Sequence, residues 1–91
     1  MLEIIVTNQF KKDVKLVKKQ GKKLSKLYDV IDKIARGEAL DARYREHYLE
    51  GEYKGCRECH IEPDWLLVYT IQDKQLVLIL NRTGSHSELF E

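Results

Sequence analysis

Apolar residues follow a helical spacing in the first half of the chain. They predict one helix from Asn8, its N-cap, to about Gln20, and a second helix that ends before Gly37. The second helix has the more regular apolar face, formed by Leu24, Leu27, Tyr28, Ile31, Ile34 and Ala35. Because Gly21 separates the two segments, we expect an antiparallel helix pair packed on a sheet.

The other apolar segments are short and have the patterns of strands. They predict strands over residues 2–7, 53–61, 65–71 and 76–82, with a C-terminal turn or short helix after the last one. Residues 40–48 are polar and are expected to be irregular, with at most one helical turn. The order β-α-α-β-β-β predicts an α+β fold, in which the helix pair packs on a small, mainly antiparallel four-stranded sheet.

The length and composition of the chain are those of one small globular domain. Its 91 residues, 43% of them hydrophobic, predict a single domain over residues 1–91. No apolar run has the length of a membrane span, and the N-terminal residues lack the pattern of a signal peptide. The predicted location is therefore the cytoplasm.

Positive charge is concentrated in the helical half of the chain. Residues 11–36 contain ten Lys or Arg and three Asp or Glu, whereas the remaining residues contain six and twelve. A basic face of this kind fits a partner rich in phosphates or carboxylates. A solvated helix surface is the alternative interpretation.

The two cysteines, Cys56 and Cys59, form a single C-x-x-C motif inside a predicted strand. Redox motifs with this spacing begin helices, whereas residues three apart on a strand point to opposite faces. A structural zinc site would need a second pair. We therefore expect two reduced thiols without a special role.

Titratable residues collect where the predicted strands end. Pro63, the only proline, interrupts the apolar segments and is flanked by His60 and Asp64. Because antiparallel neighbours bring alternate strand ends to one edge, this turn and the end of the last strand should lie together. The residues expected at this edge are His60, Asp64, Trp65, Arg82 and His86, with His47 reaching it from the preceding loop.

Three chemistries fit such a cluster of residues. The histidines and Asp64 could bind a transition metal, although no H-x-x-x-H spacing supports it, and Ser85 or Ser87 could act as a nucleophile. The third chemistry is metal-free RNA cleavage, which needs a base, an acid and a cation for the phosphate. Histidine serves as either proton carrier near neutral pH, and arginine suits phosphate oxygens.

The aromatic residues and the arginine each have a second interpretation. Trp65 and Phe90 could stack on unpaired bases, or they could be a core aromatic and a C-terminal plug against the sheet. Arg82 could contact phosphate, or it could be an ion-pair partner on the strand surface.

At these residues the sequence resembles the YafQ branch of the RelE/ParE toxin superfamily. The matching segments are His47-Tyr48-Leu49-Glu50-Gly51, then residues 57–69 around Pro63, then residues 82–90. The resemblance extends over the whole chain, because its length and element order also agree. It implies the toxin of a type II toxin–antitoxin pair, a ribosome-dependent mRNA endonuclease that needs no cofactor and no metal.

The resemblance also implies site residues and partners. The implied active-site set is His47, His60, Asp64, Trp65, His86 and Phe90. In it His86 is the general acid, His60 and Asp64 are base or relay groups, His47 assists, and Arg82 stabilises the phosphate. The implied partners are mRNA, ribosomal RNA and a DNA-binding antitoxin of the ribbon-helix-helix type. The alternative is a non-catalytic ParE-like toxin that acts on DNA gyrase and does not need the histidines.

Overall fold

The computed structural model describes residues 1–90, which contain eight helices and strands. In chain order they are β1 (Glu3–Val6), α1 (Asn8–Lys19), α2 (Leu24–Ala35), β2 (His47–Tyr48), β3 (Arg57–Glu62), β4 (Trp65–Gln72), β5 (Val77–Gly84) and α3 (His86–Phe90). Short 3₁₀ turns, Ala42–Tyr44 and Gly51–Tyr53, lie on either side of β2. The predicted α+β class is confirmed, and none of these helices is long and apolar enough to cross a membrane.

The sheet has five strands, not the four predicted. Its order is β1-β5-β4-β3-β2, in which β1 runs parallel to β5 and the other pairs are antiparallel. The additional strand is β2, whose two residues pair as His47 with Glu58 and Tyr48 with Arg57. Two residues are too few to show a period of two, so the polar segment 40–48 gave no strand signal.

The strand predicted over residues 53–61 begins later than expected. Residues 53–56 form the end of a 3₁₀ turn and a tight bend, in which Gly55 has a φ of 93°. Only a residue without a Cβ adopts such a left-handed backbone at little cost. The bend separates Tyr53 from β3 and lets β2 fold back along Arg57 and Glu58.

Both long helices have the ends that their sequences indicate, with one shift of a single residue. Thr7, and not Asn8, is the N-cap of α1, and its Oγ1 accepts a hydrogen bond of 3.0 Å from Phe10 N. At the C-termini, Lys22 N donates to Val17 O at 3.1 Å and Glu38 N donates to Lys33 O at 3.0 Å. These six-to-one bonds are the Schellman motif that the predicted glycine stops favour.

The two faces of the sheet carry separate apolar clusters. The larger cluster joins α1 and α2 to one face and includes Phe10, Val17, Leu27, Val30, Ile31, Ile34, Trp65, Leu67, Tyr69, Leu78 and Leu80. The smaller cluster, Leu66, Val68 and Leu89, lies on the other face beneath Leu49, Tyr53 and Phe90. Only short segments therefore cover the second face, which leaves room there for a site.

The cysteines point to these two different faces. Cys59 is fully buried in the larger cluster, where burial and then the nearby carboxylates of Glu46 and Glu58 raise its pKa to about 12. Cys56 lies on the face with the smaller cluster, and its Sγ accepts a hydrogen bond of 3.3 Å from Thr70 Oγ1. Both thiols are free, as predicted.

A buried carboxylate fastens α1 to the end of β5. Asp13 Oδ2 accepts hydrogen bonds from Arg82 Nε at 2.7 Å and from Thr83 N at 3.1 Å, and Oδ1 accepts one from Arg82 Nη2 at 3.2 Å. Asp13 is 6% exposed, so these bonds replace its lost hydration. They hold the middle of α1 against the strand that leads to His86.

We predict that Asp13→Ala destabilises the protein by about 3 kcal/mol, because it leaves Arg82 and the Thr83 amide without their acceptor. The measurement is the free energy of unfolding from urea titration. Asp29→Ala, on the exposed side of α2, is the matched control and should change stability by less than about 0.5 kcal/mol. Equal effects of the two substitutions would contradict the anchoring role of Asp13.

Candidate active site

Glu58 lies between two of the three histidines on the thinly covered face of the sheet. Its Oε2 is 3.1 Å from His47 Nε2, and its Oε1 is 3.9 Å from His60 Nε2. Glu58 is 5% exposed, although it belongs to a residue type that is seldom buried without a partner. Its place on β3 opposite His47, two residues before His60, explains the cluster, because alternate residues of a strand share a face.

The other ring nitrogens of these histidines face backbone carbonyls, which fixes how each ring can donate. His60 Nδ1 is 3.1 Å from Pro63 O, so its proton belongs on Nδ1 and the Nε2 lone pair of the neutral ring is free. His47 Nδ1 is 2.8 Å from Arg45 O, so both of its nitrogens face acceptors. Both contacts are hydrogen bonds only when the His47 ring carries two protons.

His86 comes to the same face at the first residue of α3. Its backbone N donates a hydrogen bond of 3.0 Å to Asp64 Oδ1, which ties the helix to the turn after β3. Ser85 and Glu88 add a capping box: Ser85 N donates to Glu88 Oε1 at 2.8 Å, and Glu88 N donates to Ser85 Oγ at 3.2 Å. The hydrogen bond from the Ser85 amide, followed by the one from the Gln20 side chain, lowers the pKa of Glu88. Asp64 thus holds the backbone of His86 in this structure.

A cavity of about 450 Å³ on the open face joins Glu58 to His86, whereas His47, His60 and Asp64 are not in its lining. Glu58 and His86 line it, together with Leu49, Glu50, Glu52, Tyr53, Leu89 and Phe90. The Phe90 ring packs edge-on against Tyr53, with centroids 5.4 Å apart, and lies 5.2 Å from the His86 ring. Phe90 therefore covers the sheet and also forms a wall of the cavity.

Two of the predicted site residues have partners inside the protein. Trp65 is completely buried in the larger cluster, and its Nε1 donates to Thr83 Oγ1 at 3.0 Å. A ring without exposed surface cannot stack on a base, so the predicted stacking role is wrong and its alternative as a core aromatic is confirmed. Arg82 is the ion-pair partner of Asp13, the second of its two interpretations. The hydrogen bonds to Asp13 are the main cause that raises its pKa.

A buried hydroxyl holds the segment that carries His47. Tyr69 OH, on the central strand β4, donates a hydrogen bond to Glu46 Oε2. Burial and this bond raise the pKa of Tyr69. Arg57 lies 3.8 Å from the same carboxylate and 4.8 Å from the centroid of the Tyr48 ring. Both neighbours of His47 are therefore fixed to the sheet.

Comparison with known proteins identifies relatives over nearly the full chain. Residues 2–91 match the family model described as the bacterial toxin of type II toxin-antitoxin system, YafQ. The mRNA interferase toxin YafQ of Escherichia coli K12 is 40% identical over 89 residues, which are 97% of this chain and 95% of that protein. A putative toxin YafQ of Haemophilus influenzae is 33% identical in an alignment of 92 positions that covers 96% of this chain and 90% of that protein.

Solved structures have the same fold. A metal-bound toxin from Helicobacter pylori superposes with a TM-score of 0.93 at 46% identity and covers 99% of this chain and 100% of its own. In residues 1–90 of the present chain, no three His, Cys, Asp or Glu side chains are arranged to hold a metal ion. YafQ in the E. coli DinJ-YafQ complex gives 0.89 at 40% identity, with all of both chains covered. The chain therefore belongs to the YafQ family of bacterial toxins from type II toxin–antitoxin systems.

Proposed function

We propose that this toxin is an endoribonuclease that cuts mRNA on the ribosome by general acid–base catalysis. The observation that carries the proposal is the position of His60, whose Nδ1 faces Pro63 O and whose Nε2 is 3.9 Å from Glu58, a residue that lines the same cavity as His86. The name of the E. coli relative, an mRNA interferase, supports the same activity. Because the proposed substrate is mRNA on ribosomes, we propose that the toxin acts in the cytoplasm.

In the proposed reaction, His60 Nε2 removes the proton of an RNA 2′-hydroxyl. The 2′-oxygen attacks the adjacent phosphorus, the bond from phosphorus to the 5′-oxygen breaks, and His86 gives its proton to that oxygen. The products are a 2′,3′-cyclic phosphate and a 5′-hydroxyl, and water restores the two histidines to their starting protonation states. One proton is taken up and one is released, so the reaction needs no redox partner.

Two carboxylates position the proton carriers in this scheme. Glu58 orients His47 and stands beside His60, and Asp64 holds the backbone of His86. In the form in which both of its ring nitrogens donate, His47 carries a positive charge, and we propose this form for the phosphate-stabilising role that the resemblance implies for Arg82. Since Asp13 occupies Arg82, we propose for this arginine a structural contribution to the site.

The lysines of α1 and of the bend after it are proposed to contact ribosomal RNA. The exposed ones are Lys11, Lys12, Lys15, Lys18, Lys19 and Lys23, and within residues 1–90 none is in an ion pair. Cations without carboxylate partners can neutralise phosphates and release counterions. The C-terminal end of this surface reaches α3, since Gln20 Nε2 donates a hydrogen bond of 2.8 Å to Glu88 Oε2.

Besides mRNA and ribosomal RNA, the proposed partner is a cognate antitoxin protein. The E. coli relative is found in a complex with DinJ. By analogy we propose an antitoxin with a DNA-binding part of the ribbon-helix-helix type and a segment that covers the toxin.

We predict that His86→Ala abolishes growth arrest when the chain is expressed without an antitoxin. Loss of a general acid should slow cleavage by about 10²–10⁴-fold. The measurement is growth together with mapping of mRNA 5′ ends, and circular dichroism checks folding. Ser87→Ala, at the next residue of α3, is the control and should remain toxic.

The acid–base mechanism would be refuted if His86→Ala and His60→Ala both remained fully toxic. Growth arrest with intact mRNA and damaged DNA would instead indicate the gyrase-directed alternative.

We predict that Glu58→Gln lowers kcat by up to about 100-fold with little change in KM, because His47 and His60 lose the carboxylate that orients them. The measurement is single-site mRNA cleavage on purified ribosomes. Glu52→Gln is the matched control, since Glu52 lines the same cavity but is exposed and contacts neither histidine. A wild-type kcat for Glu58→Gln would remove Glu58 from the site.

A further inference from the structure

A second cavity of about 580 Å³ lies on the other side of His60. It runs between α2, the 3₁₀ turn Ala42–Tyr44 and the turn that joins β3 to β4, and we call it the α2 groove. His60 lines the α2 groove, whereas Glu58 and His86 line the cavity described above. Because His60 Nε2 is 3.9 Å from Glu58 Oε1, the proposed base neighbours a residue of the other cavity.

The α2 groove keeps positive charge that the protein does not neutralise. Two of its cations have partners, since Lys26 pairs with Glu62 at 2.7 Å and Arg36 pairs with Asp32 at 3.1 Å. The other three, Lys33, Arg43 and Arg45, have no carboxylate within ion-pair distance in residues 1–90, and Asp29 is the remaining acid of the lining. A chain of phosphates is complementary to this surface.

An aromatic ring orders two of these free cations. The Arg43 guanidinium lies 4.8 Å from the centroid of the Tyr44 ring, and its Nη2 donates to Tyr44 OH at 2.9 Å. Lys33 Nζ is 5.6 Å from the same centroid. Because Tyr44 is partly buried against the larger cluster, it holds both cations at the groove without neutralising them.

The positions of the base and the acid give the groove a direction. In 2′-hydroxyl attack, the base touches the nucleotide on the 5′ side of the scissile phosphate, and the acid touches the leaving oxygen of the nucleotide on the 3′ side. We propose that the α2 groove binds the RNA strand upstream of the cut, with Lys33 and Arg43 on its phosphates, while the cavity beside His86 and Phe90 takes the downstream nucleotide. This inference rests on the proposed function and deepens it.

Site-specific crosslinking tests the direction. The mRNA carries a 2′-deoxynucleotide at the mapped cleavage site, which removes the attacking hydroxyl, and 4-thiouridine two positions upstream or two positions downstream. On programmed ribosomes, the upstream probe should crosslink to peptides that contain Lys33 or Arg43–Arg45. The downstream probe should crosslink to peptides that contain Tyr53 or Phe90. The reverse assignment, or an upstream probe that does not reach the groove, would overturn the proposal.

A kinetic measurement gives an independent answer. Lys33→Gln combined with Arg43→Gln should raise KM by at least about tenfold and leave kcat unchanged, because the lost contacts bind the strand but take no part in proton transfer. The salt dependence of log KM should become less steep by about 0.7 per lost phosphate contact. Lys74→Gln, in the exposed β4–β5 turn at the far end of the strands, is the control and should change neither quantity.

The two proposals fail in distinguishable ways. An unchanged KM in the double variant, with normal cleavage by the wild-type chain, would overturn the groove assignment alone. Absence of any cleavage by the wild-type chain on ribosomes would overturn the proposed function.

Discussion

A carboxylate buried on the thinly covered face of a sheet has to find donors, and Glu58 meets this requirement in a way that shapes its surroundings. It lies in β3 opposite His47, so the two-residue strand β2 brings a ring nitrogen to it at 3.1 Å. The same strand presents His60 on the same face two residues later. Without a donor, a charge at this depth would cost several kcal/mol. The pairing of β2 with β3 and the grouping of two histidines therefore have one physical origin.

The two faces of the sheet differ in how much apolar packing they carry. The helical face carries most of the apolar packing, and α1 is fastened to β5 there by Asp13. The open face has a small cluster capped by α3 and by the turn at Tyr53. The main core and the proposed site thus use different side chains of β3, because Cys59 and Ile61 point to the helical face whereas Glu58 and His60 point to the other.

What the sequence predicted well had local causes. The helices follow from a regular period and from glycine stops, and the approach of His47, His60 and His86 to one sheet face follows from antiparallel pairing. The features that it missed depend on a partner far away in the sequence or on an element of only two residues. Arg82 finds Asp13 across 69 positions of sequence, and β2 is too short to show a period.

Trp65 and Glu58 illustrate two other limits of the sequence. A tryptophan at the start of a strand has the same sequence pattern whether it packs in the core or lines a binding surface. Only its burial in the folded protein distinguishes the two. Glu58 is two residues before His60 in the predicted strand 53–61, so an acid on the same face as that histidine was the available signal. It became meaningful only when β2 brought His47 opposite to it.

Tyr69 contributes separately to core packing and to the attachment of a surface segment, because its hydroxyl donates a hydrogen bond to Glu46. The ring of Tyr69 fills volume in the main core, whereas its oxygen reaches out to the segment before His47. A phenylalanine there would keep almost all of the packing and give up the attachment. One buried oxygen atom therefore links the segment that carries His47 to the main core.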